Sequence, residues 1–263
     1  MHPAKKRTRS YDPARTRTAV LAQSDHVRKA VGALTPGQLA LPTRLGEWTV
    51  RELVAHLSMV VGTVARNVTL PEPPVREVTL LEWPFATAAA AGAVDADTRA
   101  LAAGGAAGEL FTRAADAMAD ALTGVPDERL MPTRVGAMSV GDFLVTRAVE
   151  LVVHTDDLND ATGLAVPYDR QALAACTRLL ADALAVKAPG GSVEVRVPPY
   201  AVVQCVEGPR HTRGTPPNVV EIDPLTWVRL ATGRTGWAEA LDAAKVSASG
   251  ERADLAALLP ILG

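Results

Sequence analysis

The chain has 263 residues, 48% of them apolar but only 4% aromatic, and a formal charge of −2. That length fits one large domain or two of about 100–150 residues, with a core built mainly on Ala, Val and Leu. The near-neutral balance argues against a nucleic-acid partner, no stretch reaches the roughly 18 apolar residues of a membrane span, and two cysteines do not make a disulfide framework.

A reduced, cytoplasmic protein is the expectation from that cysteine usage. The one basic run, Lys5-Lys-Arg-Thr-Arg9, has no apolar stretch behind it and is not a secretory signal. Residues 1–11 read as a solvated, flexible tail.

The first predicted helix runs from Asp12 to Leu34, with Asp12-Pro13 as N-cap and first helical position and Val20, Val27, Val31 and Leu34 on one face. A second starts at Thr49. Thr49-Val-Arg-Glu52 is a capping box, and Leu53, Leu57, Val60 and Val64 follow as an apolar stripe. Pro71, Pro73, Pro74 and Pro84 mark a long irregular connection. The Ala-rich stretch from Asp97 to Thr123 predicts a third helix, weakened by Gly104, Gly105 and Gly108. A fourth runs from Ser139 to about Thr162 and ends at Gly163. Its start, Gly136-Ala-Met-Ser-Val-Gly-Asp-Phe-Leu, parallels Gly46-Glu-Trp-Thr-Val-Arg-Glu-Leu-Val, either as a remnant repeat or as two similar caps.

After Pro167 the pattern changes. Asp169 to Val186 predicts one more helix. Short β-type runs follow at Val193–Val197, Tyr200–Val206 and Val219–Ile222, punctuated by Gly and Pro. Pro224 to Thr232 reads as a helix, Ala244 to Ala248 as a strand, and Asp254 to Leu259 as a final helix. The expected fold class is α+β: a four-helix bundle over residues 12–166, then a small α/β domain over 167–263.

Chemistry concentrates in three residues. Glu150 and His154 are four apart, so they share a helix face inside the apolar run Glu150-Leu-Val-Val-His154. His56 sits in the second helix. Two imidazoles and a carboxylate form the ligand set of a catalytic divalent-metal site with an open position. Asp157, one turn on, would orient His154 from behind, whereas Arg147 would compete by pairing with Glu150. The bland alternative is that Glu-x3-His arises by chance and the histidines are satisfied core residues. Against it, a buried Glu and His are costly unless paired or ligated. His2 lies in the tail, His26 on a polar helix face, and His211 in a Gly-rich turn. Cys176 and Cys205 read as core. There is no Ser-His-Asp arrangement, phosphate loop or dinucleotide fingerprint.

The segments Trp48-Thr-Val-Arg-Glu-Leu-Val-Ala-His56-Leu and Arg147-Ala-Val-Glu150-Leu-Val-Val-His154-Thr-Asp-Asp157 resemble the mycothiol-dependent maleylpyruvate isomerase family, within the DinB-like metal-binding bundles. The resemblance implies a divalent metal, zinc, held by His56, Glu150 and His154. It also implies a mycothiol thiolate that attacks a small electrophile in an isomerase or transferase reaction. The stretch Pro216-Pro-Asn-Val-Val-Glu-Ile-Asp-Pro-Leu-Thr-Trp227-Val-Arg-Leu-Ala-Thr-Gly233-Arg234 is similar to the bacterial sterol-carrier orthologue domain. By the Gly-Arg match, Arg234 is implied as a catalytic residue that grips a substrate carboxylate; capping of a helix C-terminus explains it equally well. The competing function is a non-enzymatic carrier of an apolar ligand or lipid in residues 167–263. The basic tail and the proline-rich connection depart from the family pattern.

Overall fold

The computed structural model describes residues 9–209 and 216–262. His2, His211 and most of the basic run lie outside the described residues; Arg9 pairs with Asp182 at 2.9 Å.

The N-terminal helices are α1 (Pro13–Gly32), the single turn α2 (Pro36–Leu39), α3 (Val50–Val68), the short α4 (Trp83–Ala86), α5 (Ala91–Ala103) and α6 (Ala107–Ala121). A two-stranded hairpin, β1 (Leu130–Met131) and β2 (Met138–Ser139), leads into α7 (Val140–Thr162). Helices α1, α3, α6 and α7 pack against one another as the four-helix bundle, and α5 lies against α3.

Local chemistry sets the helix starts. The Asp12 carboxylate accepts from the Arg15 N–H, and Pro13 occupies the first helical position, where no N–H is needed. Glu52 reaches back to accept from the Thr49 N–H at 2.9 Å, as the capping box predicts. At the far end of α7, Gly163 takes the left-handed conformation that a side chain disfavours.

Helix α8 (Arg170–Lys187) packs on α7, α1, the sheet and the later helix α9. The C-terminal sheet has order β4-β3-β5-β6, formed by β3 (Val193–Val197), β4 (Ala201–Cys205), β5 (Val219–Ile222) and β6 (Val246–Ser249). Strand β3 is antiparallel to β4 and parallel to β5, and β5 is antiparallel to β6. Alternation decides the face: Val193, Val195 and Val197 are buried, and Val195 pairs with Val203 and Val220. Helices α9 (Pro224–Ala231) and α10 (Trp237–Asp242) complete the unit. Trp227 on α9 is fully buried, and its indole N–H donates to the Thr177 carbonyl at 3.2 Å. Trp227→Ala is expected to cost about 3–5 kcal/mol, read as a lowered denaturant midpoint.

The architecture is the expected α+β class, with four local corrections. The single Ala-rich helix expected over Asp97–Thr123 is two helices, α5 and α6, because Gly104 and Gly105 interrupt it. The proline-rich connection carries α4 and a 3₁₀ turn, Thr87–Ala90. The final helix expected over Asp254–Leu259 is only a 3₁₀ turn, Ala256–Leu258, since Pro260 holds Leu259 in an extended conformation. The hairpin β1–β2 and α10 have no counterpart in the sequence expectation; both are too short for periodicity to register.

Candidate metal centre

Helix α3 carries His56 and α7 carries Arg147, Glu150, His154 and Asp157, so two packed helices build the site from facing surfaces. The capping box at Thr49 sets the phase of α3 seven residues before His56. His56 and His154 are each 8% exposed. Glu150 Oε2 lies 3.2 Å from His154 Nε2 and 3.5 Å from His56 Nε2. The ligand atoms of these three residues all lie within 4.8 Å of one another. The His rings meet edge to face with centroids 4.6 Å apart, and the Trp48 ring lies tilted against His56 at 5.3 Å.

These separations fit an ion. A tetrahedral centre with arms of about 2.0–2.1 Å has ligand-to-ligand edges of about 3.3–3.4 Å, between the two distances observed. The donor set, two imidazole nitrogens and one carboxylate, suits zinc or a similar divalent metal. His56 Nδ1 is buried with no hydrogen-bond partner among the described residues. An unpartnered ring nitrogen in such a position costs free energy.

Electrostatics hold Glu150 and His56, but not His154, in the form that binds an ion. Burial pushes the Glu150 carboxyl up. Hydrogen bonds from His154 and His56 and the charge of Arg147 outweigh it, and the carboxyl sits well below its ordinary value. Burial also lowers His56, which stays neutral as a ligand must be. Burial lowers His154 too, but its bonds to Asp157 and Glu150 prevail and its pKa rises.

Asp157 is completely buried, and its Oδ2 accepts from His154 Nδ1 at 2.8 Å. That bond keeps a proton on Nδ1, so Nε2, which faces Glu150, is the nitrogen that would give up its proton to bind an ion. Behind it stands a charge network with little sequence signal. Arg44, from the loop before α3, donates to Asp157 Oδ1 at 2.7 Å and also pairs with Asp156. Arg229 on α9 grips Asp156 with contacts of 2.7 and 2.9 Å, and Tyr168 donates to the same carboxylate at 2.9 Å. Asp156 beside Asp157 in an apolar helix is the one hint in the sequence; their arginines are 73 to 113 residues distant.

Arg234 donates to Asp157 at 3.0 and 3.2 Å and to the Thr232 carbonyl at 2.7 Å. It lines the cavity described next, yet its guanidinium is engaged with Asp157. His26 stands apart, with Nδ1 3.1 Å from the Pro167 carbonyl. Cys176 and Cys205 are fully buried, and burial pushes the Cys176 thiol far up, away from reactivity.

A cavity of about 460 Å³ opens onto the triad. Its walls are mostly apolar, with Trp48, Met59, Trp83 and Val94 among them; the C-terminal half adds Arg234 and Leu262. No helix among the described residues is long and apolar enough to cross a membrane.

The sequence profile of the mycothiol maleylpyruvate isomerase N-terminal domain matches residues 20–159, and that of the bacterial SCP ortholog matches residues 169–261. Among solved structures, a mycothiol-dependent maleylpyruvate isomerase superposes with a TM-score of 0.60 at 16% identity, over 93% of this chain and 95% of that one. A histidine-to-alanine variant of a mycothiol-dependent maleylpyruvate isomerase gives 0.62 at 13% identity, with the same coverage. At these identities the likeness shows a shared fold. No curated protein sequence matches the chain. The bundle and the domain behind it are accounted for together: the chain belongs to the mycothiol maleylpyruvate isomerase N-terminal-domain family and carries a C-terminal domain of the bacterial SCP-ortholog type.

Proposed function

We propose that this protein is a divalent-metal-dependent, thiol-assisted isomerase or transferase for a small electrophile, with zinc held by His56, Glu150 and His154 and mycothiol as the thiol. The observation that carries the reading is the convergence of the three ligand atoms in the lining of a cavity large enough for a small molecule. When bound, a divalent ion would lower the pKa of a thiol in the cavity and so supply a nucleophile at neutral pH. That role suits a chain whose own thiols are buried. In this reading the protein works in the cytoplasm, where a small thiol stays reduced.

The chain's residues have distinct tasks. Asp157 holds the tautomer of His154, and Arg44 and Arg234 hold Asp157. The apolar walls exclude water from the nucleophile. The thiolate sulfur adds to one end of a conjugated double bond. The former double bond then rotates as a single bond, and expulsion of the same thiolate restores the double bond in the other geometry. Isomerisation therefore consumes no co-reactant; retention of the adduct is transfer.

The test is elemental analysis of the purified chain, followed by calorimetry with mycothiol. About one zinc per chain with thiol binding is the expected result. Metal without thiol affinity would instead favour the apolar carrier that the SCP-ortholog match suggests. Absence of metal would remove the reading altogether.

A further inference from the structure

Three arginines line the cavity, and two have hydrogen-bonded carboxylates. Arg134 pairs with Asp97, and Arg234 with Asp157. Arg147 is different. Its exposure is 7%, and its guanidinium lies over the Phe143 ring, 4.3 Å from the centroid. Nε donates to Thr146 Oγ1 at 3.2 Å and Nη1 to the Val60 carbonyl at a long 3.4 Å. Nη2 has no hydrogen bond among the described residues; the nearest carboxylate oxygen, Glu150 Oε1, is 3.8 Å away.

A guanidinium this far from water costs several kcal/mol unless an anion meets it. Glu150 is a poor candidate for that anion. It already faces both histidines, and a bound divalent ion would claim its charge. One carboxylate would then face two positive centres, and Arg147 would be left without a counter-charge. Arg147, Glu150 and His154 follow one another along the same face of α7, so an anion at Arg147 sits beside the metal end of the cavity. The planar fork of arginine matches a carboxylate, and the Phe143 stack fixes its plane.

We propose that Arg147 is the anion-binding residue of this cavity and selects electrophiles that carry a carboxylate. This rests on the metal-dependent reading above and adds to it the residue that determines specificity. Such a substrate anchors its carboxylate at Arg147 and presents its reactive carbon toward the triad.

The experiment titrates the zinc-loaded chain with succinate, an unreactive carboxylate probe, and with its uncharged dimethyl ester. The unaltered chain is expected to bind succinate. Arg147→Met should weaken that binding about tenfold or more, and Arg147→Lys should retain part of it. Affinity for the ester should not respond to either change. Arg147→Gln replaces Arg147→Met if the latter does not fold. Succinate bound equally by Arg147→Met, or not bound by the unaltered chain, would overturn the proposal. So would loss of zinc in every variant, because Arg147 would then be a structural partner of Glu150. The zinc content of the unaltered chain is scored separately. If that chain lacks zinc yet binds succinate through Arg147, the metal reading alone fails. If it holds zinc and mycothiol but binds succinate independently of Arg147, this inference alone fails.

Discussion

Replacing His154 or His56 by alanine is expected to abolish most zinc binding while the metal-free chain still folds. Three protein ligands are the minimum of a catalytic site, and loss of one leaves a pair that holds an ion weakly. Both rings line the cavity, so truncation enlarges a space that already exists. Elemental analysis beside a thermal melt separates the two effects, and unchanged metal content in both variants would remove the site assignment.

The same site carries a pH signature. His154 holds its proton above the ordinary histidine value, chiefly through Asp157 and Glu150 acting against burial. Zinc must displace that proton. Zinc affinity should therefore climb between about pH 6 and 8, measured by competition with a chelator. The stability that His154 lends the metal-free fold runs the other way: it is complete below the ordinary histidine value and is lost as pH rises through the raised one. A flat affinity profile would take His154 out of the ligand set.

Asp157→Ala is the second large effect, because one carboxylate serves two purposes. It orients His154, and loss of such a partner typically costs 10–100-fold in metal affinity. It also neutralises Arg44 and Arg234. Stranding those charges is expected to lower stability by about 3 kcal/mol, the low end for a broken buried pair, because both arginines keep some contact with water. Asp157→Asn separates the roles. The amide oxygen still accepts from His154, so zinc affinity should fall less than in the alanine variant while the stability loss persists. Equal zinc affinity in the wild type and Asp157→Ala would confine Asp157 to holding the two halves together. Its carboxyl is held far below the usual range: burial opposes this, but His154 and Arg234 outweigh it. Its contribution to stability is therefore present above the ordinary carboxylate value and is lost only in strong acid.

Periodicity, caps and the spacing Glu150-x3-His154 are properties of neighbours along the chain, so the long helices, the central strands and two of the three candidate metal ligands were legible in the sequence. A capping box fixes where α3 begins, and four residues of α-helix return to the same face; neither depends on what packs above. His56 joined the triad on weaker grounds, through chemical type and a resemblance, and it took the packing of α3 on α7 to bring its ring to Glu150. Boundaries failed where weak local preference met a context-dependent break, as at Gly104-Gly105 and before Pro260. The tertiary structure alone decided which charges meet. Arg44, Arg229 and Arg234 reach Asp156 and Asp157 across 73 to 113 residues, and no local pattern encodes such pairing. It also decided that Arg234 is engaged with Asp157 while Arg147 faces the cavity without a hydrogen-bonded carboxylate. Both are arginines beside apolar helix in the sequence; the difference is the set of atoms that folding places around each guanidinium.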